Sequence, residues 1–136
     1  MDISDLYSKK VLQHFRHPKN VGEIKNPDGM ATVGNPVCGD ILRLFIKIGK
    51  RGNQEFIEDA KFQTLGCGAA VATSSIVTEM IKGKPLQEAE KITNKAVVEA
   101  LGGLPSSKIH CSVLAEEAVH KAIADYLKKN VSKTSK

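Results

Sequence analysis

The feature that most constrains the fold is a change of hydrophobic period in the middle of the chain. Residues 41–48 and 55–64 alternate apolar and polar side chains, as two half-buried strands do. The segment between them, residues 49–54, is short, so the two strands are expected to pair antiparallel. Beyond Gly66-Cys67-Gly68 the apolar residues recur at helical spacing instead.

One helix is predicted before the strands and several after them. Residues 3–16 are predicted to form an amphipathic helix, whose apolar stripe has Tyr7, Val11 and Phe15 at i, i+4 and i+8, and Pro18 ends that segment. After the strands, shorter helices near 86–92 and 94–101 follow a first helix that starts beyond Gly68. The inward stripe of this first helix is expected to be Val71, Ile76, Val77, Met80 and Ile81.

The longest helix is predicted at residues 111–128. A short strand near 30–33 would complete a sheet of three strands. The order of one helix, then strands, then helices indicates an α+β fold, a small three-stranded antiparallel sheet with helices on one face. The inward face of the long helix is expected to carry Leu114, Ala115, Ala118, Val119, Ala122, Ile123 and Tyr126.

Composition limits the class of protein. The 136 residues, 41% hydrophobic and 26% charged, suit one globular domain at residues 1–127 followed by a flexible lysine-rich tail at 128–136. That tail holds four lysines, and without them the net charge of +5 falls to +1. With aromatic residues at 4%, a nucleic-acid surface is not expected. No apolar run suits a membrane span or a signal peptide, so a cytoplasmic protein is expected.

The three cysteines, Cys38, Cys67 and Cys111, each fall at the boundary of a predicted element. An odd number with gaps of 29 and 44 positions gives neither a closed disulfide set nor a Cys-x-x-Cys pair. Buried cysteines that act as small hydrophobes are one interpretation. Against it, glycines flank Cys67, and both Cys67 and Cys111 start helices, where a thiolate is favoured.

Two other side chains accompany the cysteines. Asp40 lies two positions after Cys38, so in an extended segment both would face the same site. His110 directly precedes Cys111 and is an alternative fourth ligand. Thiolates select zinc or iron–sulfur clusters, and a permanent site would more naturally use four cysteines. The residues therefore suggest a metal or cluster site that releases its occupant. The remaining histidines are interpreted as surface residues: His14, His17 and His120.

From about Leu6 to Tyr126 the chain resembles the IscU/NifU family of iron–sulfur cluster scaffolds. The resemblance is carried, in order along the chain, by Tyr7-Ser8-Lys9-Lys10-Val11 with His14-Phe15 and Pro18-Lys19-Asn20-Val21-Gly22, by Val33-Gly34-Asn35-Pro36-Val37-Cys38-Gly39-Asp40, by Thr64-Leu65-Gly66-Cys67-Gly68-Ala69-Ala70, and by Leu104-Pro105 with Lys108-Ile109-His110-Cys111-Ser112. It implies a non-enzymatic scaffold that assembles a [2Fe–2S] cluster and hands it to recipient apo-proteins.

The resemblance also implies roles and partners. Cys38, Cys67 and Cys111 would bind the cluster, Asp40 would be the acid of a labile site, and His110 the alternative ligand. A cysteine desulfurase would supply sulfur, with Cys111 the first persulfide acceptor, and a further protein would supply iron or electrons. Zinc can occupy the same ligands. Whether one chain holds the cluster or two chains share it, through Tyr7 or another contact, is left open.

This chain departs from the family pattern at two places, and both bear on which branch of the family it resembles. The IscU branch has Leu-Pro-Pro-Val-Lys, recognised by a chaperone pair, whereas this chain has Leu104-Pro105-Ser106-Ser107-Lys108, which argues against chaperone docking. Gly102-Gly103 before it is closer to NifU-type N-terminal domains, so the chain is either a stand-alone scaffold or a fragment. The SufU branch has an insertion that this chain lacks. A zinc-holding sulfur transferase and a structural zinc module are the alternative functions.

Overall fold

The structure, a computed structural model, describes residues 8–35, 40–66 and 68–134. Its elements follow the expected α+β order, and the three-stranded antiparallel sheet with an N-terminal helix and a long last helix is confirmed. A 3₁₀ turn at Ser106–Lys108 leads directly into the last helix. The elements are α1 (Lys9–Arg16), β1 (Gly29–Asn35), β2 (Asp40–Arg51), β3 (Gln54–Leu65), α2 (Gly68–Ile81), α3 (Leu86–Ala89), α4 (Asn94–Ala100) and α5 (Ile109–Thr134).

The sheet has the order β1-β2-β3, and every neighbouring pair is antiparallel. Leu42, Leu44 and Ile46 of β2 point into the core, as the alternation predicts. Phe45, on the opposite face, is also only 5% exposed. The alternation assigned the two faces correctly, but it did not predict that an aromatic side chain would also be covered on the face away from the helices.

The outer edge of β3 is covered by two short segments of the chain. Gly22 donates to the carbonyl of Phe62, and Gly83 donates to the carbonyl of Ile57, at 2.9 and 2.7 Å respectively. Phe62 and Ile57 in turn donate to backbone carbonyls of the same two segments. Because these groups are paired within the chain, this part of the edge cannot recruit a strand from another molecule.

Helix α5 lies on β1 and β2, and its backbone approaches the sheet closely at Gly29. A methyl group on Gly29 would lie 2.3 Å from the Ala122 carbonyl oxygen, so only glycine allows this approach. The predicted inward face of α5 is confirmed from Leu114 to Ile123, and the partly buried Tyr126 donates a hydrogen bond to Glu55.

Helix α5 also continues to Thr134, past its predicted end at Lys128. Residues 129–134 contain no glycine or proline that would end a helix, and Lys129 Nζ lies 3.0 Å from Asp125 Oδ2 one turn earlier. The division of the chain into one domain and a flexible tail remains a prediction. In the part of the chain that the structure describes, no helix is both long and apolar enough to cross a bilayer.

Helix α2 differs most from its prediction. Val77 and Ile81 are buried as expected, but Val71, Ile76 and Met80 are only partly buried. The helix packs against β3, α1, α4 and α5, so most of its circumference is enclosed. Small and hydroxyl-bearing side chains allow this close packing from several sides. The buried members of this kind are Ala69, Ala70, Ala72, Thr73, Ser74, Ser75 and Thr78.

Candidate functional site

The flanks of two cysteines meet at the end of the sheet where β1 and β3 finish and β2 begins. Asn35 pairs with Asp40, the first residue of β2, and Ile41 pairs with Leu65, the last residue of β3. The first cysteine motif therefore enters the sheet beside the strand that leads to the second. Two cysteines themselves lie outside the described residues, Cys38 and Cys67.

The first turn of α2 connects this end of the sheet with the third cysteine. Helix α2 begins at Gly68, the residue after Cys67, and Ala69 and Ala70 form a small buried cluster with Cys111. Leu104, from the segment before α5, packs against the same cluster. The described flanks of all three cysteines therefore lie at one end of the molecule.

Cys111 is the third residue of α5 and is 1% exposed. Its Sγ atom lies 3.6 Å from Nε2 of His110, the preceding residue. A tetrahedral zinc ion, with bonds of about 2.3 Å to sulfur and about 2.05 Å to nitrogen, holds those two ligand atoms about 3.6 Å apart. The separation of the two atoms suits a hydrogen bond to sulfur, and it is also the separation that a shared tetrahedral metal ion would require.

His14 is not the simple surface residue that the sequence suggested. It is partly buried, and its Nδ1 lies 2.7 Å from Oγ of Ser75 in α2. Burial lowers the pKa of His14 below its ordinary value, with Lys19 acting in the same direction and Glu79 opposing both. His17 and His120 are exposed, as expected. His14 thus helps to dock α1 onto α2.

Phe15, predicted on the inward stripe of α1 with Val11, is instead 47% exposed. Val11 is buried as expected, and Tyr7 lies outside the described residues. The Phe15 ring lies against Gly68, the first residue of α2. A methyl group added to Gly68 would be only 3.2 Å from the Cδ1 atom of Phe15. The space beside that glycine, left open by its missing side chain, is occupied by a side chain of the protein itself.

Within the described ranges, no three His, Cys, Asp or Glu side chains are grouped to hold a metal ion. A groove of about 580 Å³ lies at the other end of the sheet, between the β2–β3 turn and α3. Its lining includes Arg51, Glu55 and Gln87 but no cysteine or histidine. The groove is therefore separate from the cysteine end of the molecule.

Comparison with known proteins gives a consistent result. The model of the NifU-like N terminal domain matches residues 6–133. The chain is 58% identical over 125 residues to iron-sulfur cluster assembly scaffold protein IscU 1 of Archaeoglobus fulgidus, covering 92% of this chain and 79% of that protein. It is 51% identical over 130 residues to the IscU scaffold protein of Escherichia coli strain K12, covering 93% and 98% respectively.

Solved structures share the fold. The N-terminal part of a NifU-like protein from Brucella abortus superposes with a TM-score of 0.66 at 20% identity, over 93% of this chain and 98% of that one. A protein of the SUF system from Fervidobacterium islandicum gives a TM-score of 0.68 at 22% identity, over 90% and 99%. The family match and the identity to IscU proteins show that the chain belongs to the IscU/NifU-type family of NifU-like N-terminal domains.

Proposed function

We propose that this protein is an iron–sulfur cluster assembly scaffold, which builds a transient [2Fe–2S] cluster and transfers it to recipient apo-proteins. The observation that carries the proposal is the meeting of the described flanks of three cysteines at one end of the fold. Relatives that share half or more of their aligned residues with this chain bear the name of such scaffolds. The protein is a carrier rather than an enzyme, and the cluster is its cargo.

The proposed ligands are the three thiolates of Cys38, Cys67 and Cys111, with a fourth position that a harder ligand fills. Asp40, the last residue of the first cysteine motif, opens β2, and His110 Nε2 lies 3.6 Å from the sulfur of Cys111. A carboxylate or imidazole binds iron less strongly than a fourth thiolate would. A site of this composition can hold a cluster and still release it. Zinc and ferrous iron suit the same donors.

Sulfur would arrive from a cysteine desulfurase as a persulfide. The Cys111 thiolate attacks the outer sulfur, a new S–S bond forms on Cys111, and the desulfurase cysteine leaves as a thiolate. Two electrons from an electron-donor protein then reduce this sulfur to sulfide and restore the Cys111 thiolate. Because Cys111 is 1% exposed, the first turn of α2 or the segment around Leu104 has to move before this attack.

The partners that this chemistry requires are the desulfurase, an iron or electron donor and the recipients. Free thiols are kept reduced in the cytoplasm, which is the location that we propose. Chaperones that recognise Leu-Pro-Pro-Val-Lys are not among the proposed partners, since Ser106 and Ser107 replace the middle of that motif. A cluster bridging two copies of the chain would appear as a dimer in the assay below.

The test is reconstitution of the apo-protein with a cysteine desulfurase, cysteine, ferrous iron and a thiol reductant. We expect visible absorption from sulfide-to-iron charge transfer and an iron-to-sulfide ratio near one. Sedimentation of the product would report whether one or two chains hold it. Zinc retained tightly with persulfide turnover but no chromophore would favour a sulfur transferase, and zinc with neither would favour a structural module.

Variants assign the ligands. Serine at position 38, 67 or 111 should weaken retention of the cluster, because an alkoxide oxygen replaces a thiolate. Val113→Ser is the matched control, since Val113 lies two residues after Cys111 on α5 and is exposed. Equal cluster retention in Cys111→Ser and Val113→Ser would contradict the assignment of Cys111.

A further inference from the structure

The first turn of α2 is enclosed between two side chains from different parts of the fold. On one side, Ala69 and Ala70 pack against Cys111. On the other, the Phe15 ring covers Gly68, where an added methyl group would lie 3.2 Å from Cδ1 and 3.3 Å from Cε1. Gly68 is helical and is not among the glycines with positive φ. Its lack of a side chain therefore serves the approach of the ring rather than the backbone conformation.

The position of Phe15 is determined by the helix that carries it. Val11, one turn earlier, is fully buried, and His14 bonds Ser75 across to α2. At the start of α1, the Ser8 hydroxyl caps the helix and donates to the carbonyl of Leu101. Phe15 is 47% exposed, yet both ends of its helix are attached to the core. The ring of Phe15 is therefore held in place against the first turn of α2.

We propose that Phe15 is a positioning residue for the cysteine site. Its ring holds the first turn of α2 against Cys111, and so fixes the direction from which Cys67, the residue before that turn, supplies its thiolate. This inference rests on the proposed function, because it assumes that Cys67 and Cys111 bind the same metal ion or cluster. Residues that orient a ligand without touching the metal commonly change metal affinity by about 10- to 100-fold.

The experiment uses Co²⁺ as the probe, added to the apo forms of the parent and of two variants, Phe15→Ala and Phe15→Leu. Cobalt thiolate sites give charge-transfer and ligand-field bands whose positions and widths report ligand geometry. We expect Phe15→Ala to bind Co²⁺ about 10-fold more weakly and to show broadened ligand-field bands even at saturation. Phe15→Leu, which restores an apolar wall, should recover most of the affinity and the parental band shape.

Leu127→Ala is the matched control, because Leu127 is a similarly exposed apolar residue, 39% accessible, near the other end of α5. It should bind Co²⁺ as the parent does. The band shape at saturation separates positioning from loss of stability, since a merely destabilised variant regains the parental spectrum once metal is bound. Parental affinity and parental bands in Phe15→Ala would overturn the role of Phe15 and leave the proposed function standing.

A second measurement tests the contact itself. Gly68→Ala adds a methyl group that forces the Phe15 ring to move, whereas in a Phe15→Ala background the same methyl group has room. The loss of Co²⁺ affinity in the double variant should therefore be smaller than the product of the two single losses. Strictly multiplicative losses would refute the contact. A parent without cobalt–thiolate bands would refute the proposed function itself, and the role of Phe15 with it.

Discussion

Ser75 provides the sharpest test of how α1 is attached to the rest of the fold. Its Oγ atom accepts a hydrogen bond from the Lys19 backbone at 2.8 Å and lies 2.7 Å from Nδ1 of His14. Ser75 is fully buried in α2, so no water can replace these partners readily. Ser75→Ala removes both bonds at once and should loosen α1 and the turn that follows it.

The neighbouring serine supplies a control of the same type, helix and burial. Ser74 Oγ donates to the Ala70 carbonyl of its own helix, at 2.7 Å, and among the described residues it has no partner outside α2. Each bond lost in Ser75→Ala costs about 1 kcal/mol, or about 2 kcal/mol in total. Alanine regains about 0.5 kcal/mol of helix propensity in either variant. We therefore expect Ser75→Ala to lower the free energy of unfolding by about 1.5 kcal/mol and Ser74→Ala to leave it nearly unchanged.

The assay is urea unfolding of the apo-protein at pH 7.5, followed by circular dichroism, with hydrogen exchange to locate the change. The expected difference of about 1.5 kcal/mol between the variants is about 13-fold in the unfolding equilibrium constant. Exchange should accelerate in α1 for Ser75→Ala but not for Ser74→Ala. Equal destabilisation by the two variants would show that the bonds to α1 contribute nothing beyond the hydroxyl's place in α2.

Four further outcomes are expected. Burial lowers the pKa of His14 from 6.5, so the neutral ring's contribution to stability is complete above pH 6.5 and is lost as the pH falls through the lower folded-state value. The free energy of unfolding should therefore fall less steeply between pH 7.5 and 5 in His14→Gln than in the parent. Parallel pH curves for the two proteins would count against this. Gly29→Ala should destabilise by about 2 kcal/mol because its methyl group would lie 2.3 Å from the Ala122 carbonyl oxygen, and a urea midpoint equal to that of the parent would be inconsistent with that close approach. Asp40→Ala should release its cluster more slowly than the parent, because the labile oxygen ligand is gone, and faster loss of visible absorption would argue the reverse. Zinc should slow amide exchange in α1 as well as around Cys111, and protection confined to α5 would disprove the coupling.

The sequence predicted most of the fold because its strongest patterns are local. Alternation gave β2 and β3, and the helical period gave the inward face of α5 from Leu114 to Ile123. The buried residues of helix α2 were predicted less well, because a prediction from helical periodicity assumes that only one face of the helix is buried. Several elements surround α2, and its small residues carry no amphipathic signal. The end of α5 was predicted too early, at Lys128, because the apolar residues of its inward face end before its helical backbone does, at Thr134.

The candidate site shows the same division between local and distant information. Cysteines at element boundaries can be found by reading the sequence, and the neighbouring Asp40 and His110 follow from spacing. The contacts of His14 with Ser75 and of Phe15 with Gly68 join residues more than 50 positions apart, so no local pattern predicts them. The available signals were indirect: a serine in a buried helix, and a glycine at a helix start where the backbone does not require it.

Helix α1 supplies none of the proposed metal ligands, yet it contacts the segments that lead to two of them. It touches the start of α2 through Phe15 and the segment before α5 through Ser8 and Leu101. A helix of 8 residues is not stable on its own, so α1 persists only while those contacts do. A metal ion bound to Cys67 and Cys111 would hold the same two segments in place. Metal binding and the docking of α1 should therefore stabilise each other, and a partner that displaces α1 would weaken the hold on the cluster without touching a ligand.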